Sequence, residues 1–107
     1  MIRLDRPVIV EGKYDKITLE NVIDALIIPT DGFGIFKNPE KTALIRAAAR
    51  EKGVIVMTDS DSAGAVIRAY LKKILGDTEI INVYVPELKG KERRKTKYSK
   101  EGLLGVE

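Results

Sequence analysis

The 107-residue sequence contains no cysteine, no histidine and no tryptophan. Without cysteine there is no disulfide framework, no thiolate zinc site and no thiol nucleophile. Without histidine there is no imidazole ligand, no Ser-His-Asp triad and no histidine acid or base. Any chemistry must therefore come from carboxylates, lysines, hydroxyls and hard metal ions. No apolar run approaches the ~20 residues of a membrane span, and Met1–Arg6 is not followed by a signal-peptide core. The expectation is an intracellular, cytoplasmic protein with no membrane partner. The length accommodates one domain, enough to bury roughly two-thirds of the surface of its unfolded chain.

Charge is not scarce, but it is segregated. The net charge is +3, from 19 Lys+Arg against 16 Asp+Glu. The segment from Lys89 to Lys100, KGKERRKTKYSK, carries seven basic side chains and one acid, a local balance of +6. The rest of the chain carries 12 basic and 15 acidic residues, a balance of −3. A block this polar has too little apolar content to pack as a core. It is either a solvated segment or a phosphate-binding one, and steep salt dependence of nucleic-acid binding is the property that separates the two.

Strand and helix patterns alternate along the rest of the sequence. Arg6–Glu11 is a short, β-branched strand pattern ended by Gly12, and Tyr14–Leu26 has apolar positions near helical spacing. Ile27–Thr30 reads as a second strand, in which Pro29 predicts an edge position or an early end. Asp31-Gly32-Phe33-Gly34 reads as a loop. Asn38-Pro39 supplies an N-cap and a first-turn proline for a helix to about Lys52, ended by Gly53. Val54–Thr58 is the clearest buried strand. An apolar stripe from Ala63 to Ile74 gives a third helix, closed by Gly76, in which Tyr70 is expected to pack in the core. Ile80–Val85 is a fourth strand. This alternation implies βαβ crossovers and a parallel sheet.

Ligands of open α/β sheets bind at the carboxyl ends of the strands. Glu11 ends the first strand, and Asp59 and Asp61 follow the third. Three carboxylates brought together are costly unless a cation lies among them, and all-oxygen ligation points to Mg²⁺ or Mn²⁺. With seven aspartates in the chain, a D-x-D pair arises by chance in roughly one such sequence in two, so alone it carries no weight. The plain alternative for Asp59 or Asp61 is a helix N-cap, and for Glu11 a solvated strand end. Gly12 and Gly64 are expected as structural turn residues that admit a close backbone approach. Asp15 is placed for the first turn of its helix. Asp31 is at most an outer participant. Lys13, beside the Glu-Gly turn, is either a phosphate contact or a solvated lysine.

VIVEGKYD (Val8 to Asp15) and VIVMTDSDSAG (Val54 to Gly64), with the strand–helix order up to Pro86, resemble the Toprim domain, a metal-binding module of topoisomerases, primases and several nucleases. The resemblance implies a fold of class α/β: a single Rossmann-like domain over residues 1–88, with an about four-stranded, mainly parallel sheet and helices on both faces. Residues 89–107 form the basic C-terminal tail, expected as a linker to a further C-terminal region. Three features are similar to the ribonuclease family that matures 5S ribosomal RNA: TDGFGI (Thr30 to Ile35), DSDSAGAVIR (Asp59 to Arg68), and the tail leading into GLLGVE (Gly102 to Glu107). Ser60 and Ala63 stand where proline is usual in that family.

This likeness implies a Mg²⁺-dependent (or Mn²⁺-dependent) endoribonuclease that hydrolyses phosphodiester bonds in structured rRNA precursor during 5S rRNA maturation. Asp59 and Asp61 would hold the metal, with Glu11 as third ligand or general acid/base. The RNA contacts would come from Lys13, Lys89, Lys91, Arg93, Arg94, Lys95 and Lys97. The implied partners are RNA, the 5S rRNA precursor, and a large-subunit ribosomal protein. The alternatives are a noncatalytic RNA- or DNA-binding Toprim module, a primase- or topoisomerase-like protein, and a phosphoacceptor receiver domain, which would require two acids after the first strand where this chain has Glu11-Gly12.

Overall fold

A computed structural model describes residues 1–85. The strands are β1 (Ile2–Arg3), β2 (Val8–Val10), β3 (Ile23–Asp24), β4 (Ile27–Pro29), β5 (Val54–Asp59) and β6 (Ile80–Val85). The helices are α1 (Lys13–Glu20), α2 (Pro39–Ala49) and α3 (Ser62–Leu75), with a 3₁₀ helix over Gly32–Lys37. Four strands form the main sheet in the order β4-β2-β5-β6, every pair parallel. No helix among the described residues is long and apolar enough to cross a membrane.

Alternation along the strands divides the core between the two faces of the sheet. Val8 and Val10 of β2 pack with Ile27 and Leu19 under α1. Ile9, Val54 and Val56 face the other way and pack with Ile45 and Ala49 of α2 and Ile67, Leu71 and Leu75 of α3. Helices thus cover both faces, as the sequence predicts. Pro29 lies on edge strand β4, where a missing N–H costs the ladder nothing. Asn38 caps α2, its side chain accepting from the Lys41 N–H at 3.0 Å. Gly53, at φ +83°, lies just past α2, and a Cβ there would sit 2.5 Å from the Glu79 carbonyl oxygen.

Two stretches differ from the sequence reading. The helix expected to reach Leu26 stops at Glu20, because Ile23–Asp24 pairs instead with Ile2–Arg3 in a small parallel ribbon. The apolar residues Val22 and Ile23 pack, half-buried, against the core cluster that includes Leu19 of α1, so their near-helical spacing reflects this packing rather than a helix. The segment read as a loop from Asp31 is a 3₁₀ helix that buries Ile35 completely.

The strand order places a switch point between β2 and β5. The chain leaves β2 to form β4 on one side, then crosses back to form β5 on the other. In such sheets the crevice at the carboxyl ends of the two diverging strands is where a ligand is received.

Candidate metal centre

Glu11 follows β2 directly, Asp59 is the last residue of β5, and Asp61 is the N-cap of α3. One carboxylate oxygen from each lies within 4.8 Å of the other two. The expected constellation therefore forms at the switch point. Backbone hydrogen bonds fix its geometry. Glu11 Oε2 accepts from the Asp59 N–H at 2.8 Å, tying the two strand ends together. Glu11's own carbonyl accepts from the buried Thr30 hydroxyl at 3.1 Å and from the Gly32 N–H at 2.9 Å. Asp61 Oδ1 accepts from the Gly64 N–H at 2.8 Å, so Asp61 both caps α3 and joins the cluster. The cap alternative and the cluster assignment are both met by this one residue.

Burial is the largest influence on the Glu11 carboxyl and raises its pKa above the ordinary value; the Asp59 N–H pulls it down, and the charges of Asp59, Asp61 and Asp15 raise it further. The cluster thus holds negative charge in a half-buried setting. Among the described residues neither Glu11 nor Asp61 enters an ion pair. Oxygen-only donors with excess negative charge suit a hard divalent cation. An octahedral Mg²⁺ with ligand distances of about 2.1 Å needs neighbouring oxygens about 3 Å apart and opposed ones about 4.2 Å apart. The oxygens, within 4.8 Å of one another, stand near that range. The residues present therefore fit such an ion.

The other expected residues distribute differently. Asp15 lies in the first turn of α1 and accepts from the Gly12 N–H at 3.1 Å. Gly12 lies in the bend between β2 and α1 with an extended backbone (φ −137°, ψ 170°) that any residue adopts, and the nearest atom to a Cβ there is 3.9 Å away. Gly64 is not a turn residue. It lies in the first turn of α3, and a Cβ there would stand 2.3 Å from the Asp59 carbonyl oxygen. Its role is the close approach of helix to strand end. Lys13 is exposed, its Nζ 6.0 Å from the Tyr14 ring centre. Asp31 takes φ +63° and pairs with Lys41 Nζ at 2.7 Å. Tyr70 packs against the core and meets Phe36 edge-on at 4.8 Å. Lys89, Lys91, Arg93, Arg94, Lys95 and Lys97 lie outside the described residues.

Sequence reasoning assigned no role to Arg68. Its Nη1 donates to Thr58 Oγ1 at 2.7 Å and to the Asp59 carbonyl at 2.9 Å, and its guanidinium stacks 4.5 Å from the Tyr84 ring centre. The signal was available in its spacing from Gly64. Four residues apart, the two share one helix face, and the missing side chain at Gly64 leaves room for the guanidinium.

A cluster of carboxylates that could hold a metal ion lies at the switch point of a small parallel α/β sheet, and residues 6–88 match the Toprim domain model. The chain belongs to the Toprim domain family. Its relatives narrow the likeness: it is 31% identical over 105 residues to the Ribonuclease M5 of Fusobacterium nucleatum, covering 98% of this chain and 51% of that protein. It is 35% identical over 101 residues to the Ribonuclease M5 of Clostridium botulinum, 94% of this chain and 49% of that protein. With the Ribonuclease M5 of Borreliella burgdorferi it shares 35% identity over 81 residues, 76% of this chain and 44% of that protein. The chain spans about half the length of the curated relatives it matches.

Proposed function

We propose that this chain is the catalytic Toprim domain of a Mg²⁺-dependent endoribonuclease that cleaves structured rRNA precursor, with the 5S rRNA precursor as substrate. The observation that carries the reading is the convergence of Glu11, Asp59 and Asp61 within 4.8 Å at the switch point. The names of the relatives support ribonuclease activity and an RNA partner. Asp59 and Asp61 would hold Mg²⁺, or Mn²⁺ in its place, with Glu11 completing the set. When bound, such an ion offsets the charge of a phosphodiester and makes water a better nucleophile at neutral pH.

The protein's own part is positioning and proton handling. The Asp59 N–H holds the Glu11 carboxyl at the strand junction. Where Glu11 serves as the general acid or base rather than as the third ligand, its raised pKa in the metal-free fold brings that carboxyl nearer the working pH of a proton carrier than an exposed glutamate would be. The Asp61 cap bond fixes the entry of α3 beside the crevice. Residues 1–88 form the domain in this reading, and residues 89–107, with their basic side chains, add RNA affinity. A cytoplasmic site of action and an encounter with a large-subunit ribosomal protein belong to the same proposal.

The test is cleavage of 5S rRNA precursor in Mg²⁺, comparing the wild type with Asp59→Asn. Loss of cleavage in the variant with retained RNA binding supports the site. Equal cleavage by Asp59→Asn overturns it, and salt-sensitive RNA binding without any metal-dependent cleavage favours a noncatalytic RNA-binding module.

A further inference from the structure

A groove of about 420 Å³ runs between α3 and the outer strand β6. Arg68, Lys72, Gly76, Thr78 and Asn82 contribute to its walls, and among the described residues no carboxylate lines it. Its position relative to the metal centre follows from the strand register. Tyr84 pairs with Thr58 in the β5–β6 ladder, and Arg68 reaches between them to the Asp59 carbonyl. One end of the groove therefore abuts the strand end that carries the carboxylates, and the other lies by Thr78.

Arg68 is prepared for a ligand. Both of its hydrogen bonds use Nη1, and the Tyr84 ring supports its plane. Among the described residues Nε and Nη2 have no hydrogen-bond partner, and no carboxylate pairs with the guanidinium. A planar fork already held in place loses little freedom when it binds an oxyanion. Lys72 follows one helical turn later, about 6 Å along the axis, exposed and without an ion pair among the described residues. Asn82 and Thr78 add neutral hydrogen-bonding groups opposite the two cations. One cation held in place, a second on an exposed side chain, neutral donors and no acid among the described lining residues, beside a site that would act on a phosphodiester, form a surface complementary to a nucleic-acid backbone.

We propose that the α3–β6 groove binds the backbone phosphates of the RNA strand next to the scissile bond, with Arg68 and Lys72 as its contacts. The proposal rests on the endoribonuclease reading above and deepens it. It assigns to the folded domain a phosphate track separate from the basic segment after residue 88.

The test uses a fluorescein-labelled RNA hairpin with single-stranded flanks, its affinity for the full chain measured by anisotropy across a salt series without divalent ions. Lys72→Ala is expected to weaken binding three- to tenfold at about 100 mM salt and to lower the log–log salt slope by ~0.7, the contribution of one single-strand phosphate. Asn82→Asp, which places a carboxylate in the groove without touching the Arg68 hydrogen bonds, is expected to weaken binding to a similar extent. Lys16→Ala, on the opposite face of the sheet, is expected to leave both affinity and slope unchanged. If the wild type binds and both groove variants match it in affinity and slope, the groove proposal is overturned while the endoribonuclease reading stands. If the wild type does not bind RNA at all, both fall.

Discussion

Gly64→Ala should damage both stability and the metal centre, and by more than an ordinary helix substitution. Alanine would gain ~0.8–1 kcal/mol of helix propensity over glycine. Against that, its Cβ would stand 2.3 Å from the Asp59 carbonyl oxygen, where ordinary contact begins at 3.4 Å. Relief requires about 1.1 Å of separation between the start of α3 and the end of β5. The obstacle is backbone at a strand end, so no side-chain rotation can absorb the shift. The Cβ would also lie 3.1 Å from Arg68 Nη1, crowding the group that bonds this same carbonyl. Overpacking against a rigid partner costs ~1–3 kcal/mol or more. With backbone as the obstacle the cost falls at the upper end, ~3 kcal/mol, and the helix gain offsets ~1 kcal/mol of it, leaving a net loss of ~2 kcal/mol, a fall in Tm of roughly 8–16 °C for a domain of this size. The same displacement moves Asp59 away from Asp61, so Mn²⁺ affinity should fall at least tenfold, as it does when supports around metal ligands are removed. Thermal unfolding of the full chain and Mn²⁺ titration provide the two readouts. Gly12→Ala is the control: with 3.9 Å of clearance and extended backbone, it should cost under ~1 kcal/mol and leave Mn²⁺ binding intact. A Gly64→Ala protein that melts with the wild type and binds Mn²⁺ equally would refute the close-approach argument.

Asp61→Ser separates the two roles of that residue. Serine is an equally good N-cap, so stability should change by less than ~0.5 kcal/mol, while Mn²⁺ concentrations that saturate the wild type should leave the variant largely unloaded. Asn38→Ala removes the α2 cap, whose side chain accepts from the Lys41 N–H; it should cost ~1 kcal/mol, a Tm drop of roughly 4–8 °C, with metal binding unchanged. Glu11→Gln keeps an acceptor for the Asp59 N–H but removes the charge. Because burial and the neighbouring acids raise the Glu11 pKa in the fold, the folded chain binds that proton more tightly than the unfolded chain. Metal-free wild type should therefore lose stability as pH rises from the ordinary carboxylate value through the folded one, and Glu11→Gln should not. In a chelating buffer the variant should melt above the wild type at pH 7, with the difference vanishing near pH 3. In millimolar Mg²⁺ the order should reverse, and a variant that melts below the wild type in chelator would contradict the assigned cause.

Most of the sheet was legible because its central strands are covered by helices on both faces and so read as continuous apolar, β-branched runs. Val8–Val10 and Val54–Asp59 are the clearest cases, with glycine and proline marking the turns between elements. The carboxylate site was legible for a related reason. Parallel sheets place functional groups at carboxyl ends, where Glu11, Asp59 and Asp61 stood after the two clearest strands. What escaped was structure that depends on pairing between distant segments. Two-residue strands such as Ile2–Arg3 and Ile23–Asp24 have no periodicity of their own, and they exist only because each supplies the other's hydrogen bonds. Val22 and Ile23 fit a helical stripe as well as a strand, so spacing alone could not end α1 at Glu20. Arg68 escaped because its importance lies in reaching a carbonyl nine residues back across a helix–strand contact.

That contact explains why the acidic centre can persist before any cation arrives. Three carboxylates within 4.8 Å repel one another, and a flexible loop would spread them apart. Here each is held through backbone that the fold has already fixed. Glu11 is held by Thr30 and Gly32 on one side and by the Asp59 N–H on the other. Asp59 sits at the end of a six-residue strand paired on both sides, and Asp61 is locked by the cap of a fourteen-residue helix. Arg68 and Gly64 join the last two supports by bringing helix and strand end into direct contact. The repulsion is thus opposed by packing that extends into both hydrophobic clusters, and it adds to the burial that chiefly raises the pKa of Glu11. A cation entering this crevice finds ligands already near their spacing and relieves a strain that folding imposed, so its binding should be coupled to the stability of the whole sheet rather than to the ordering of a loop.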